Sequence, residues 1–266
     1  MSKWPKALPP LTVERRAIAD DFMHYWHDVL PRKFSVADRF GHAYVVRTAP
    51  RECDRTLEVG IGVGEHLAYE HLSVEQESNY YGLDIRPNMI ATLHKSYPKV
   101  NAIVGDCQQR QPFVDGYFDR IIAIHVLEHL PNLPAAIREL HRLCNPDSGV
   151  LQVVIPCQGG LAYDIASRIS ARRIFEKRYK QSYDWFITRE HINLPAEVIE
   201  ELDPYFSASG KTYFPLAFPV VSCNLFIAFT ARPKRIRANA DAGSLTLTDP
   251  LSNAQTYDAN TSPPHY

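Results

Sequence analysis

Residues suited to holding a small nucleotide-like molecule lie in one glycine-rich stretch. Glu58 precedes Gly60, Gly62 and Gly64, and a short apolar run leads into this turn. Glycine has no Cβ, so the backbone here can pass close to a ligand. The first amides of a following helix favour an anionic group in the same space. The stretch predicts a strand, a tight turn and a helix at 65–72 that together bind a ligand.

Acidic residues follow the next two predicted strands, each at a carboxyl end. Asp84 lies near the end of the strand at 79–85, and Asp106 follows the strand at 100–104. In open α/β sheets, ligands bind at the carboxyl ends of the strands. We therefore expect Asp84 to accept hydrogen bonds from ribose hydroxyls and Asp106 to reach an adenine amine. Alternatively, Asp84 only begins the turn before Pro87.

Histidines provide the candidates for proton transfer. His125 and His129 follow an apolar strand at 118–124, whereas His191 lies just before a predicted helix at 195–202. An imidazole has a pKa near neutrality, which suits a general base. His129 and His191 are the two candidate catalytic residues. The alternatives are that His129 only shapes its loop and that His191 binds substrate or caps the helix.

The elements that position these residues alternate between strands and helices, which predicts an α/β fold with a parallel sheet. Its buried strands are almost continuously apolar, as in sheets covered on both faces. Residues 1–50 are predicted to form a helical cap, with one helix broken at Pro31 and a second at 34–46. The cap either covers the sheet or closes over the ligand. Residues 158–194 are predicted to be an insertion that acts as a lid, and residues 233–266 a disordered tail.

Composition excludes several classes of protein. The 266 residues are 45% hydrophobic and 22% charged, as in a globular protein with a full core. A formal net charge of −1 argues against a broad nucleic-acid surface. No apolar run approaches the length of a membrane span. The five scattered cysteines predict neither disulfides nor a metal site, and we expect a cytoplasmic protein.

The ordered motifs between about residues 56 and 156 resemble the class I S-adenosylmethionine-dependent methyltransferases. Within that class they are most similar to the small-molecule branch described as type-11 domains. The motifs are E-V-G-x-G-x-G from Glu58, an acid at Asp84, G-D-C from Gly105, F-D-x-I-x-x-x-x-V-L-E-H-L from Phe118 and N-P-D-S-G-V-L from Asn145. A lone glycine-rich turn would be a weak signal; their order and spacing carry the resemblance.

The resemblance implies a Rossmann-like, seven-stranded, mostly parallel sheet with an antiparallel last strand and helices on both faces. It also implies S-adenosyl-L-methionine as the cofactor. By position, the methionine part would be held by Glu58 and the three glycines, the ribose by Asp84, and the sulfonium would lie near the backbone of His125. The adenine would be contacted by Ile85, Asp106 and Cys107.

Two other functions are compatible with parts of this pattern. A dinucleotide oxidoreductase needs G-x-G-x-x-G, but Glu65 occupies the last glycine position here. Glu58 further disfavours that class, because a carboxylate would repel a pyrophosphate but suits the ammonium group of methionine. The second alternative is a non-catalytic protein that keeps the fold and binds the cofactor or a partner.

The predicted reaction is methyl transfer to a small-molecule or glycan-type acceptor, most simply at oxygen. The insertion is both basic and aromatic, which predicts a lid for an anionic or carbohydrate substrate. The alternatives are a solvated helix face or contact with an anionic membrane surface. Its cationic residues are Arg168, Arg172, Arg173, Lys177, Arg178 and Lys180.

Overall fold

A computed structural model of the chain describes residues 3–33 and 35–235. The side chains of residue 24 and of residues 26–38 are outside the description. Residues 236–266, which include most of the predicted disordered tail, also lie outside it.

Seven strands form one sheet in the order β3-β2-β1-β4-β5-β7-β6. Strands β1 to β5 run parallel, whereas β7 runs antiparallel to both of its neighbours. This confirms the predicted fold class. The strands are β1 Thr56–Val59, β2 Tyr80–Asp84, β3 Asn101–Val104, β4 Arg120–Ile124, β5 Val150–Pro156, β6 Phe206–Phe214 and β7 Phe226–Pro233.

Helices cover both faces of the sheet and build the insertion. They are α1 Val13–Lys33, α2 Ser35–Arg47, α3 Leu67–Glu70, α4 Val74–Ser78, α5 Pro87–Ser96, α6 Leu133–Leu143, α7 Leu161–Ile169, α8 Ala171–Tyr179, α9 Asp184–Glu190 and α10 Pro195–Leu202. Within the described residues, none of these helices has both the length and the apolar character to cross a bilayer.

The predicted break at Pro31 is wrong, because α1 continues to Lys33. A proline inside a helix removes one backbone hydrogen bond, and here that loss falls in the final turn. The helix predicted at 65–72 is also shorter, since α3 ends where His71 adopts a left-handed conformation with φ 52°.

The last two strands have different bounds from those that the sequence predicts, which are 211–216 and 224–231. Strand β6 begins at Phe206, before the predicted residue 211, and passes through Gly210, where φ is 60° and the register shifts. The run of small polar residues resembled a loop, but β7 supplies ladder partners along it. Strand β7 continues to Pro233, and the Lys234 amide still donates to the Tyr205 carbonyl at 2.7 Å, so ordered chain extends past the predicted start of the tail.

Alternation along the strands divides the interior into two layers. Leu57 and Val59 belong to a core with α6 and α10, including Leu140 and Val198. Residues of the opposite face pack with Tyr44 and Val45 of α2 and with α5. Helix α2 thus covers the sheet, and β1 places Glu58 on the α2 side because its side chain alternates with those of Leu57 and Val59.

A buried polar network fastens this second layer to the sheet. Arg120, only 4% exposed, donates to both carboxylate oxygens of Glu70 at 2.7 and 3.0 Å and to Gln152 Oε1 at 2.6 Å. It also donates to the Val45 carbonyl at 3.1 Å. Burial alone would raise the pKa of Glu70, but hydrogen bonds from His66 and Arg120 lower it to about 2. Helices α2 and α3 are therefore tied to β4 and β5 through one guanidinium.

Helix α1 packs on the insertion instead of on the sheet. Phe22 is fully buried and makes edge-to-face contacts with Phe175, Tyr179, Tyr183 and Phe186 at ring-centroid distances of 5.0 to 6.2 Å. These contacts form an apolar cluster separate from the two layers of the sheet. The N-terminal helix and the insertion thus share one small core.

Replacing Glu70 with Gln should destabilise the protein by about 3–5 kcal/mol, because it leaves the Arg120 charge buried without its partner. Chemical unfolding measures the effect. The matched control is Asp147→Asn, which removes the partner of Arg235 in a pair whose side chains are 70% and 83% exposed; its effect should stay below about 1 kcal/mol. Equal effects of the two substitutions would contradict a structural role for the network.

Candidate functional site

The glycine turn has the backbone conformation that the sequence predicted for a ligand-binding loop. Gly60, Gly62 and Gly64 have φ values of 69°, 57° and 89°, in the left-handed region where side chains are strained. A Cβ at Gly60 would lie 2.4 Å from Val126 Cγ2. The turn after β1 is therefore packed against the residues that follow β4, at the carboxyl edge of the sheet.

Asp84 lies directly at this turn. Its Oδ2 accepts the Gly62 amide at 3.0 Å, and its Oδ1 accepts the Arg86 amide at 2.9 Å. The Arg86 guanidinium donates to both oxygens, at 3.1 and 3.2 Å. Asp84 thus begins the turn, as the alternative prediction had it, and also holds the glycine loop. A ribose would compete with Arg86 for the same carboxylate.

Glu58 is buried beneath the turn, 4% exposed, and the Tyr80 hydroxyl donates to its Oε2 at 2.7 Å. Burial raises the pKa of Glu58 to about 8, against the opposing effect of the Tyr80 hydrogen bond. The carboxyl is therefore mainly neutral at pH 7 when no cation is beside it. The sequence argument assumed a standing negative charge here, which burial removes.

The adenine-side candidates lie beside the end of β3. Asp106 accepts the amide of Gln108 at 2.9 Å and its side-chain amide at 3.0 Å. Cys107 packs in the α6-side core, where burial raises the pKa of its thiol. Ile85 is partly buried at the end of β2. The Cys107 side chain is thus a core residue, which leaves its backbone and the Asp106 carboxylate for a ligand.

His125 directly follows β4 and has φ 53°, which is uncommon for a residue other than glycine. Its amide donates to the Val154 carbonyl at 2.9 Å, and its Nδ1 lies 3.3 Å from Glu128 Oε1. The side chain is one-third exposed. The backbone therefore turns sharply at the edge of the sheet, beside the glycine turn.

The structure brings the two candidate catalytic histidines together, although they are 62 positions apart in the sequence. The rings of His129 and His191 lie 5.0 Å apart in an edge-to-face arrangement. His129 Nδ1 donates to the Glu190 carbonyl at 2.5 Å, and His191 Nδ1 is 3.4 Å from the Tyr163 hydroxyl. Burial, and then the nearby His129, lower the pKa of His191 to about 3.

Sequence reasoning missed Glu128, which lies between these histidines. Its side chain is 2% exposed, and its Oε1 is 3.3 Å from His125 Nδ1 and 3.9 Å from His129 Nε2. Burial would raise the pKa of Glu128, but the His125 hydrogen bond and the neighbouring imidazoles lower it. The signal was present in the H-x-x-E-H spacing, which we had interpreted only as a loop.

Hydrogen bonds from a distant segment fix this cluster. The amides of Ile192 and Asn193 donate to the Glu128 carbonyl at 2.9 and 3.0 Å. The buried Asn193 side-chain amide donates to the carbonyls of Leu127 and Leu130 at 2.7 and 2.8 Å. The segment that carries His191 is therefore bound to the loop that carries His129.

The insertion encloses a cavity of about 270 Å³ near the histidines, since Tyr163 lines it and contacts His191. Arg168 and Arg172 line it as well, but Arg172 pairs with Asp184 at 2.5 Å. The buried aromatic side chains of the insertion pack in the cluster around Phe22, so they are not free to stack on a substrate. Only part of the predicted basic lid thus faces a possible substrate.

The donors at the sheet edge fit S-adenosylmethionine. The left-handed glycine turn offers backbone close to a ligand, and Asp84 offers acceptors for ribose hydroxyls. Glu58 supplies a carboxyl that an adjacent ammonium would ionise. When bound, the cofactor supplies an activated methyl group on a sulfonium.

Comparison with known proteins identifies the same region. Residues 57–151 match a family model described as a methyltransferase domain. A probable chloroplastic tocopherol O-methyltransferase of Oryza sativa subsp. japonica is 27% identical over 124 residues, which are 44% of this chain and 33% of that protein. A highly reducing polyketide synthase of Purpureocillium lilacinum is 24% identical over 244 residues, 79% of this chain and 10% of that protein. The chain therefore spans a third or less of the length of these two relatives.

Solved structures share the fold. The 1,6-didemethyltoxoflavin-N1-methyltransferase of Burkholderia thailandensis, with bound S-adenosylhomocysteine, superposes with a TM-score of 0.54 at 17% identity, covering 86% of this chain and 94% of that one. The matched region contains the glycine turn, Asp84 and the H-x-x-E-H segment, which are the features of the predicted resemblance. Residues 57–151 are therefore similar to a methyltransferase domain, and the chain has the fold of a solved methyltransferase, in agreement with the predicted resemblance.

Proposed function

We propose that this protein transfers the methyl group of S-adenosylmethionine to an oxygen of a small-molecule or glycan-type acceptor. One observation carries the proposal: the residues after β4 contact both halves of the site. Val126 packs on Gly60 of the cofactor turn, while His129, three residues later, lies beside His191. A methyl group held at the turn and an acceptor held at the histidines would therefore be neighbours.

The acceptor would approach from the insertion, because Tyr163 lines the cavity there and its hydroxyl contacts His191. Arg168 is exposed at the cavity and suits a carboxylate or phosphate group of the acceptor. The polar groups Asp164 and Ser167 also line it and suit hydroxyls. We therefore favour an acceptor with several oxygen atoms over an apolar one.

His129 is better placed than His191 to receive a proton. Its Nδ1 donates to the Glu190 carbonyl, which leaves Nε2 as the acceptor, and its side chain is 34% exposed. The low pKa of His191 makes it a weak base at neutral pH and better suited to positioning. The acceptor oxygen would bond to the methyl carbon while the carbon–sulfur bond breaks. The bonding pair stays on sulfur and the hydroxyl proton passes to His129.

Much of the rate can come from holding donor and acceptor in line, which contributes on the order of 7–11 kcal/mol in well-oriented reactions. Calorimetric measurement of S-adenosylhomocysteine binding tests whether the protein binds the cofactor. Incubation of the protein with labelled S-adenosylmethionine and a panel of hydroxylated acids, phosphates and glycans, analysed by mass spectrometry, tests whether it transfers the methyl group. Cofactor binding without transfer to any acceptor would favour the non-catalytic alternative.

We also propose a cytoplasmic location. The free thiols suit a reducing compartment, and burial raises the pKa of four of them, which keeps those protonated and unreactive. The five free cysteines are Cys53, Cys107, Cys144, Cys157 and Cys223.

Replacing Asp84 with Ala should weaken S-adenosylhomocysteine binding by roughly 1.5–3 kcal/mol, because ribose hydroxyls would lose a charged acceptor. Calorimetry measures the change. Asp54→Ala, an exposed acid before β1, is the matched control and should leave the affinity unchanged. Since Asp84 also holds the Gly62 amide, circular dichroism must show a folded variant. An unaltered affinity in folded Asp84→Ala would remove this residue from the site.

Stability of the cofactor-free protein should depend on pH through Glu58. Its pKa rises from 4.5 to about 8 on folding, so the protonated carboxyl stabilises the native state and this contribution is lost as pH rises toward 8. Between about pH 5 and 8, the free energy of unfolding should fall by about 1.4 kcal/mol per pH unit relative to Glu58→Gln. Urea unfolding at several pH values measures the difference. If the free energy of unfolding changed with pH equally in the unmodified protein and in Glu58→Gln, Glu58 would be ionised throughout this range.

A further inference from the structure

A cluster of three side chains has the composition of a metal site. Among the described residues, Glu128, His129 and His191 each offer a potential ligand atom, and these atoms lie within 4.8 Å of one another. Imidazole nitrogens and a carboxylate oxygen suit divalent transition metals. Two histidines and one glutamate leave coordination positions open, as in catalytic sites. The sequence analysis expected no metal because it considered mainly the cysteines.

The carboxylate of Glu128 is the strongest sign of a missing ligand. Its Oε1 has His125 Nδ1 at 3.3 Å, but its Oε2 is buried and has no hydrogen-bond partner. The residue is 2% exposed. A buried carboxylate oxygen without a partner is costly. A cation between the three side chains would satisfy it.

Both histidines also have the supporting contacts that metal ligands usually have. His129 Nδ1 donates to the Glu190 carbonyl, and His191 Nδ1 lies near the Tyr163 hydroxyl. Metal-binding histidines commonly use one ring nitrogen in this way, which fixes the tautomer and orients the other nitrogen. In each ring, Nε2 is therefore the candidate ligand atom, and His129 Nε2 is 3.9 Å from Glu128 Oε1.

We propose that Glu128, His129 and His191 bind one divalent transition-metal ion, such as Zn²⁺ or Mn²⁺. Atoms about 2.1 Å from such an ion lie roughly 3–3.5 Å from one another. Side-chain movements of about 1 Å would bring the ligand atoms of the three residues, now within 4.8 Å of one another, to that spacing. The hydrogen bonds that the Asn193 side-chain amide donates to the Leu127 and Leu130 carbonyls hold the two segments together while the ligand side chains move toward the ion.

The role of the ion rests on the proposed function. An acceptor hydroxyl in an open coordination position would have a lowered pKa and would lose its proton to water. His129 would then serve as a ligand and would no longer be the base. Metal binding itself needs neither cofactor nor acceptor, so it can be tested separately.

The test uses tag-free, metal-stripped full-length protein titrated with Co²⁺, whose visible absorption reports its coordination. We expect saturation at one Co²⁺ per chain, and loss of the signal when Zn²⁺ is added. Failure to reach a stoichiometric end point would overturn the proposal. S-adenosylhomocysteine binding is measured on the same metal-free sample and tests the cofactor part of the proposed function. Absence of Co²⁺ binding would contradict only the metal site, and absence of S-adenosylhomocysteine binding only the proposed function.

Variants locate the site. His129→Gln and His191→Gln should each weaken Co²⁺ binding at least tenfold, and the double variant should abolish it. The matched control is His94→Gln, an exposed histidine of α5, which should bind as the unmodified protein does. Glu128→Gln keeps the size of the side chain and should also bind at least tenfold more weakly. Unchanged binding in the folded double variant, checked by circular dichroism, would place the ion elsewhere and refute the assignment.

Discussion

The acceptor half of the site depends on how Asn193 is bound to the loop after β4. Its side-chain amide donates to two carbonyls of that loop, while its backbone amide and that of Ile192 share the Glu128 carbonyl. Each of these hydrogen bonds joins parts of the chain more than sixty residues apart. Because buried backbone carbonyls must be paired, the contact fixes the loop and places His191 beside His129.

The loop after β4 also shows how a carboxylate can remain ionised in the interior, because the His125 hydrogen bond and the neighbouring imidazoles together outweigh the effect of burial on Glu128. Glu128 is buried within a ring of imidazoles, and the pKa of its side chain is lowered although burial would raise it. Glu58 shows the opposite outcome, since burial raises its pKa and the hydrogen bond from Tyr80 only partly opposes that effect. The pKa values of two buried glutamates are thus shifted in opposite directions, because a histidine hydrogen bond and nearby imidazoles together outweigh burial at Glu128 but a tyrosine hydrogen bond does not at Glu58.

The proximity of the glycine turn and Asp84 could be predicted from the sequence for a physical reason. They lie within 27 residues, and local rules for turns and strand ends place Asp84 beside Gly62, whereas their roles toward a cofactor stay predictions. The raised pKa of Glu58 follows from its burial beneath the turn, which the packing of α2 on the sheet creates and no local pattern shows. Glu128 and His191 meet through a contact that no local pattern encodes. The boundaries of β6 were missed because pairing with β7 overrides the loop-like composition near Gly210.

The insertion illustrates how composition alone misleads about function. Its aromatic residues suggested stacking platforms, but Phe175 and Phe186 are buried against Phe22 of α1. An insertion of this size cannot bury both faces of its helices on the sheet edge alone, so the N-terminal helix completes a second core. What remains for an acceptor is the opposite side of the insertion, where Tyr163 faces the cavity and the histidines. Acceptor choice can therefore change through the lining of that cavity while the aromatic core and the cofactor turn stay intact.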